Sequence, residues 1–324
     1  MKSFGFGTYA LSGGVAVALL AGCGSQPLVG APGAMPQTSA IATHADLGKL
    51  WMLPRAKSED LIYATGGCGG ACIFSYPDGN MIGTVNISGS AQGACSDTQG
   101  NVFITNDANV LEFAHGGTSP IATLSLPGSN ATGCSVDSKT GDLAVAFSGS
   151  TSEMAIFTQA SGTPATYDTH LLTIYCGYDN YGNLFASGYG NGDAPGISEL
   201  AMGSPGFSVL SVNVQLGHPG QMQWDGKYMT YEGITAKDIA ISRLRISGSV
   251  ASIVSTRRFH AITGYAYQSW INDNRILIPY GEHGRAKFVG LWKYPNGGPP
   301  LNRIRHLGKL AAIWGVTVSV ASSR

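Results

Sequence analysis

From Trp51 onward the chain sets short apolar runs between turn residues, and no long stretch repeats its apolar positions at helical spacing. Alternation with a period of two, bounded by Gly, Asp, Asn and Pro, predicts strands joined by hairpins. Two marks recur along these strands. The first is a turn followed by a strand, Asp97-Thr-Gln-Gly100-Asn-Val-Phe-Ile, copied as Asp137-Ser-Lys-Thr-Gly141-Asp-Leu-Ala-Val. It returns as Asp179-Asn-Tyr-Gly182-Asn-Leu-Phe-Ala and Asp225-Gly226-Lys-Tyr-Met, and more loosely as Asp273-Asn-Arg-Ile-Leu-Ile. The Asp opens a type I turn by accepting backbone N–H groups and the Gly closes it. The row of aspartates therefore reads as turn chemistry, although it looks like a catalytic set. The second mark is an alternating strand that ends in a tight turn, as in Ile73-Phe-Ser-Tyr-Pro-Asp-Gly79 and Leu111-Glu-Phe-Ala-His-Gly-Gly117. Further copies close at Gly162, Gly203, Gly248 and Gly297.

The period of about 41–48 residues is that of a propeller blade, and six copies of the second mark predict six blades. The expected fold class is all-β: a six-bladed β-propeller of four-stranded antiparallel blades. Inner strands such as Gly93-Ala-Cys-Ser-Asp97 and Gly133-Cys-Ser-Val-Asp137 precede the Asp turns, but the first blade begins directly at Leu61-Ile-Tyr-Ala64 and lacks one. The chain ends with an orphan strand at Gly315–Ser319. This C-terminal strand is expected to complete blade 1 and so remove an open sheet edge. Composition agrees, with 46 Gly in 324 residues and only 12% charged.

The first 22 residues differ from the rest. Lys2 is their only charge, and an apolar and small-residue stretch through Val15-Ala16-Val17-Ala18-Leu19-Leu20 ends at Ala21-Gly22. That run is too short to span about 30 Å of hydrocarbon and reads as a secretory signal peptide. Leu20-Ala21-Gly22-Cys23 resembles the lipobox of bacterial lipoproteins, which implies lipidation at Cys23; the alternative is an ordinary cleaved signal with a chance Cys. Residues 24–50, rich in Pro and without a period, read as a tether spanning roughly 25–30 Å. The expected organisation is residues 1–22 signal peptide, 23–50 lipidated Cys and tether, and 51–324 propeller. The expected location is extracytoplasmic in the bacterial cell envelope, with the lipid bilayer as a partner through Cys23.

The repeat Gly-x-x-x-Asp-x-x-Gly-Asn-Val/Leu-Phe resembles that of NHL-type propellers and of the gluconolactonase-like (strictosidine synthase-like) superfamily, over about residues 55–320. Such propeller hydrolases hold a cation in the channel near the starts of inner strands, and a hard cation needs carboxylates among its oxygen ligands. The corresponding residues here are Gln92, Thr132, Tyr175, Gln221 and Ser269, with no carboxylate. This departure argues against a lactonase or esterase. No metal and no cofactor is expected, since the histidines (His44, His115, His170, His218, His260, His283, His306) show no metal-ligand spacing. The favoured expectation is a binding or scaffold propeller, a monomer, for a glycan, protein or other envelope ligand. Its candidate ligand-binding residues are Gln92, Thr132, Tyr175, His218, Gln221, Trp224 and Trp270, with Tyr178 and Gln223 beside them. For the aromatics the competing reading is packing between blades.

A net charge of zero hides an asymmetry. Residues 1–224 carry 5 Lys and Arg against 14 Asp and Glu, and residues 225–324 carry 14 against 5. Arg243, Arg245, Arg257, Arg258, Arg303 and Arg305 form a candidate basic patch for an anionic envelope component, and nucleic acid is excluded by the compartment. An exported protein can keep disulfides. Cys68 and Cys72 flank Gly69-Gly70-Ala71 and are a candidate pair. Counting back from each turn Asp, Cys134 and Cys176 face the same way, whereas Cys95 faces the opposite way. Cys95–Cys134 is then the geometrically allowed bridge between blades if the two facings converge; Cys176 is left as a buried thiol.

Overall fold

The computed structural model describes residues 51–148, 152–234, 239–259, 267–281, 286–305, 307 and 312–322. Cys23, the tether and four of the histidines (His44, His260, His283, His306) lie outside them. Strands organise into six sheets, each built on a four-stranded antiparallel meander, and successive inner strands pack against one another around an axis. The inner strands of blades 2 to 6 are Ala91–Ser96, Ala131–Val136, Leu172–Tyr178, His218–Trp224 and Trp270–Asn272. The protein is a six-bladed β-propeller. Two blades carry an extra outer strand: Trp51–Met52 on blade 1, and Ser211–Val212, which runs parallel, on blade 5.

Blade 1 joins the two ends of the domain. Its inner strand is Gly315–Ser319, paired antiparallel from Leu61 opposite Ser319 to Thr65 opposite Gly315. All five residues are buried. Blade 2 holds this strand from the side, where the Ser96 hydroxyl donates to the Val318 carbonyl at 2.8 Å and His115 Nδ1 lies 2.6 Å from Ser319 Oγ. Just beyond it, the Ala321 N–H donates to Asp60 at 2.8 Å.

Each blade packs both faces against its neighbours, so strands near the axis are apolar on both sides rather than alternating in and out. Leu61–Thr65 is buried at every position. Its Ile62 and Ala64 pack with Leu277 and Leu291 of blade 6, while Leu61 and Tyr63 pack with Val102 and Ile104 of blade 2. Between blades 4 and 5 the same role falls to Phe185, Met222, Tyr231 and Leu244. Each such side chain contributes about 1.5–3 kcal/mol when fully buried.

Cys95 and Cys134 are joined by a disulfide between blades 2 and 3, with Cα atoms 5.7 Å apart. Cys68 and Cys72 are joined within blade 1 at 5.3 Å. Cys176 is a buried free thiol, pushed up to about 12 by desolvation.

Two outcomes are expected. Ending the chain after residue 310 removes the inner strand of blade 1 and should abolish the cooperative thermal transition; unchanged melting would contradict ring closure. Replacing Cys95 and Cys134 together by Ser opens a 39-residue loop. Denaturant unfolding should then show a loss of about 3–4 kcal/mol.

Candidate functional site

Beside the axis, neighbouring inner strands approach each other closely. A Cβ built on Gly93 would lie 2.3 Å from the Thr132 carbonyl oxygen, one on Gly177 would lie 2.2 Å from the Met222 carbonyl oxygen, and one on Gly315 would lie 2.9 Å from Gln268 Oε1. Only glycine permits such approach. Strands packed this tightly leave buried peptide groups, which must find partners. Side chains of neighbouring blades supply them. Thr132 donates to the Ile174 carbonyl at 2.5 Å, Ser187 to Gly220 at 2.7 Å, and the Gln221 amide to Cys176 at 3.0 Å. A Gln side chain has the donor and acceptor of a peptide and can pair with one residue twice. Gln223 does so with Ile271, at 2.7 Å in both directions. Gln268 does so with Ala94 of blade 2, donating at 2.8 Å and accepting at 2.7 Å. Its own backbone meanwhile bridges to Gly315 of blade 1.

The inner strands of blades 2, 3, 4 and 5 share a bulge near their starts, where one extra residue enters the ladder. Opposite that point the second strand carries a hydroxyl in blades 1, 2 and 4: Thr65, Thr105 and Ser187. Blade 5 carries Glu232 there instead. Gly220 makes room for it, since a Cβ at that position would meet Glu232 Cβ and Cγ within 2.9 Å. Glu232 is 1% exposed, and its Oε2 accepts from the Ser269 hydroxyl at 2.5 Å. Its Oε1 and the Gln221 Oε1 are buried with no hydrogen-bond partner. Burial holds the Glu232 carboxyl up at about 7 although the Ser269 hydrogen bond pulls it down.

Several of the expected ligand-binding residues are engaged between blades. Thr132 and Gln221, expected to line a channel, are spent on holding blades together, as is Gln223. Tyr175 lies with its ring on Gly133, and Trp270 packs against the cores of blades 1 and 6 and of blades 2 and 3. Gln92 offers its carbonyl to Thr65. His218 is exposed with Nδ1 2.9 Å from the Tyr189 hydroxyl. It begins the strand that Trp224 ends, so the two lie about 20 Å apart on opposite faces. These residues do not form one site. The channel is also not free of carboxylates, because Glu232 enters from the second strand, where counting inner-strand positions misses it.

The six arginines likewise do not form one patch. Arg243 is paired with Asp225 at 2.6 Å, beside Tyr294, whose hydroxyl donates to the same carboxylate at 2.7 Å. Arg303 lies over the Tyr280 and Phe288 rings at 5.3 Å. Arg245 and Arg257 sit toward opposite ends of one hairpin, opposite Ser252 and Ile241. Arg257, Arg258 and Arg305 are exposed.

Arg245 and Trp224 do meet at a cleft of about 620 Å³ between blades 4 and 5, on the face of the Asp turns. Its floor is Phe185, Met229 and Leu244. Blade 4 contributes Tyr181, Asn183 and Glu199, and blade 5 contributes Trp224, Lys227, Tyr228 and Arg245. Tyr181 and Trp224 meet edge to face with centroids 6.1 Å apart. The turn aspartates at this rim are occupied: Asp179 accepts from the Tyr181 and Asn183 N–H groups, and Asp225 from Lys227 and Tyr228. Glu199 is not. Burial and the neighbouring Asp179 raise its carboxyl above the ordinary range.

No family model matches the chain, and no curated protein matches it in sequence. Solved structures define its class. A chain of the nidogen/laminin complex superposes with a TM-score of 0.65 at 14% identity, over 82% of this chain and 100% of that one. Hydrazine synthase of Kuenenia stuttgartiensis gives 0.57 at 11%, over 89% and 94%. A protein of unknown function from Bacteroides caccae gives 0.57 at 11%, over 81% and 99%. At these identities the likeness is one of fold: a six-bladed propeller.

The hub carboxylate makes stability depend on pH. A carboxyl raised when folded takes up its proton more readily in the native state than in the unfolded one. Its stabilising contribution is full below the unfolded value and is lost as pH rises through about 7. Glu232→Gln should flatten the fall in melting temperature between pH 5 and pH 8. By calorimetry the difference should be on the order of 3 kcal/mol; parallel profiles for both proteins would refute it.

Proposed function

We propose that this protein is a binding propeller of the cell envelope, which holds a glycan in the cleft between blades 4 and 5. The cleft carries the reading. Its volume lies within the ~300–1,000 Å³ typical of small-ligand sites. The aromatic rings of Trp224 and Tyr181 offer apolar surface for sugar C–H groups, and Ser208 and Ser249 offer hydrogen bonds at its rim. Near the axis, by contrast, Gln221, Gln223 and Gln268 are engaged in hydrogen bonds between blades. The lipobox-like Cys23 and the tether support an anchored, extracytoplasmic position, and two disulfides suit an oxidising compartment. The blade signature supports kinship with NHL and gluconolactonase-like propellers, with the chemistry moved from the channel to a seam.

Screening the protein against immobilised envelope glycans should yield ligands that perturb tryptophan fluorescence. Trp224→Ala, with an unchanged circular dichroism spectrum, should weaken them at least tenfold, about 1.4 kcal/mol. Glycan binding that is indifferent to Trp224 would overturn the assignment of the cleft.

A further inference from the structure

We infer that the ligand of this cleft is a zwitterionic sugar, with its ammonium group at Glu199 and its anionic group at Arg245 and Lys227. The inference rests on the glycan reading and adds the charge pattern that the sugar must carry. The two walls have opposite sign. On blade 4, Asp179 is committed to its turn, so the available charge is Glu199, half-buried and without a hydrogen bond or ion pair among the described residues. On blade 5, Arg243 is neutralised by Asp225, which leaves Arg245, exposed at the cleft, and Lys227, whose ammonium lies 5.4 Å from the Tyr228 ring centroid. Glu199 and Arg245 line one cavity but do not pair with each other. Opposite charges held apart across an aromatic-walled gap complement a ligand that brings both partners.

The repeat supplies an internal comparison. Blade 2 carries the same carboxylate couple, Asp97 and Glu112, with Glu112 paired across from Phe103 as Glu199 is from Phe185. There the neighbouring inner strand ends in Val136, where blade 5 has Trp224, and the position of Tyr181 is Gln99. The blade 4–5 seam thus adds aromatic walls and free cations to an acidic pair that is otherwise a recurrent feature. Burial and Asp179 keep the Glu199 carboxyl above its ordinary range, and an adjacent ammonium would reverse that and be held by it.

Four sugars separate the contributions: glucosamine 6-phosphate carries both charges, glucosamine and glucose 6-phosphate one each, and glucose none. Titration calorimetry at neutral pH and low salt should show glucosamine 6-phosphate binding at least tenfold tighter than either singly charged sugar. Glu199→Gln should lower its affinity to that of glucose 6-phosphate and leave glucose 6-phosphate itself unaffected. Arg245→Gln together with Lys227→Gln should lower it to that of glucosamine. The inference is overturned if the doubly charged sugar binds no better than the singly charged ones, if Glu199→Gln changes nothing, or if none of the four binds. Neutral sugars that bind in a Trp224-dependent way without charge preference would retain the glycan reading while removing this one. Charge-dependent binding that ignores Trp224 would remove both.

Discussion

Everything in this molecule depends on satisfying the peptide groups of six strands forced together at an axis. A sheet edge left bare in a buried place costs the desolvation of each unmatched N–H and C=O. Here the edges are too close for side chains at Gly93 and Gly177, so backbone meets backbone. Remaining groups are matched by hydroxyls and amides from the next blade, and one link, Gln268, reaches past its neighbour to Ala94 of blade 2. The bulges follow from the same constraint. Each adds a residue that turns a carbonyl toward a donor on the adjoining blade, as Gln92 O, Ile174 O and Gly220 O show.

Closure at blade 1 imposes a second condition, because the strand that fills the hub there is the last to be made. The pairing of Leu61 with Ser319 spans nearly the whole domain, so its loop-closure entropy is overcome only by the many contacts formed together with it. The disulfide between Cys95 and Cys134 and the clamp of His115 on Ser319 lie in blades 2 and 3, near this junction.

The architecture was legible in the sequence because a blade repeats its turn chemistry. Asp97, Asp137, Asp179 and Asp225 each accept backbone N–H groups two to four residues on, as a type I turn demands. Side-chain alternation also gave Cys95 and Cys134 opposite facings, and the structure shows that those facings converge. Binding residues were less legible. Inner-strand residues were expected at the channel, and Thr132, Gln221 and Gln223 are engaged between blades. Glu232 went unnoticed because the reading followed one strand, whereas the hub is built by two; aligning the second strands shows Thr65, Thr105, Ser187 and then a lone carboxylate. Gln268 stands five residues before Asp273 as Gln92 stands before Asp97, but blade 6 was represented by Ser269, one residue further on.

The charge asymmetry of the chain gains a physical meaning once the blades are placed. Its sign changes between Asp225 and Lys227, in the turn that follows the inner strand of blade 5. Blades meet at seams, so a change of sign along the sequence becomes a boundary in space where an acidic wall faces a basic one. Direct pairing would quench that field, as Arg243 and Asp225 do within blade 5 at 2.6 Å. At the cleft the floor of Phe185, Met229 and Leu244 holds the walls apart instead. Separated charges over an apolar floor are screened less than charges in open water, so each contributes more to whatever it contacts.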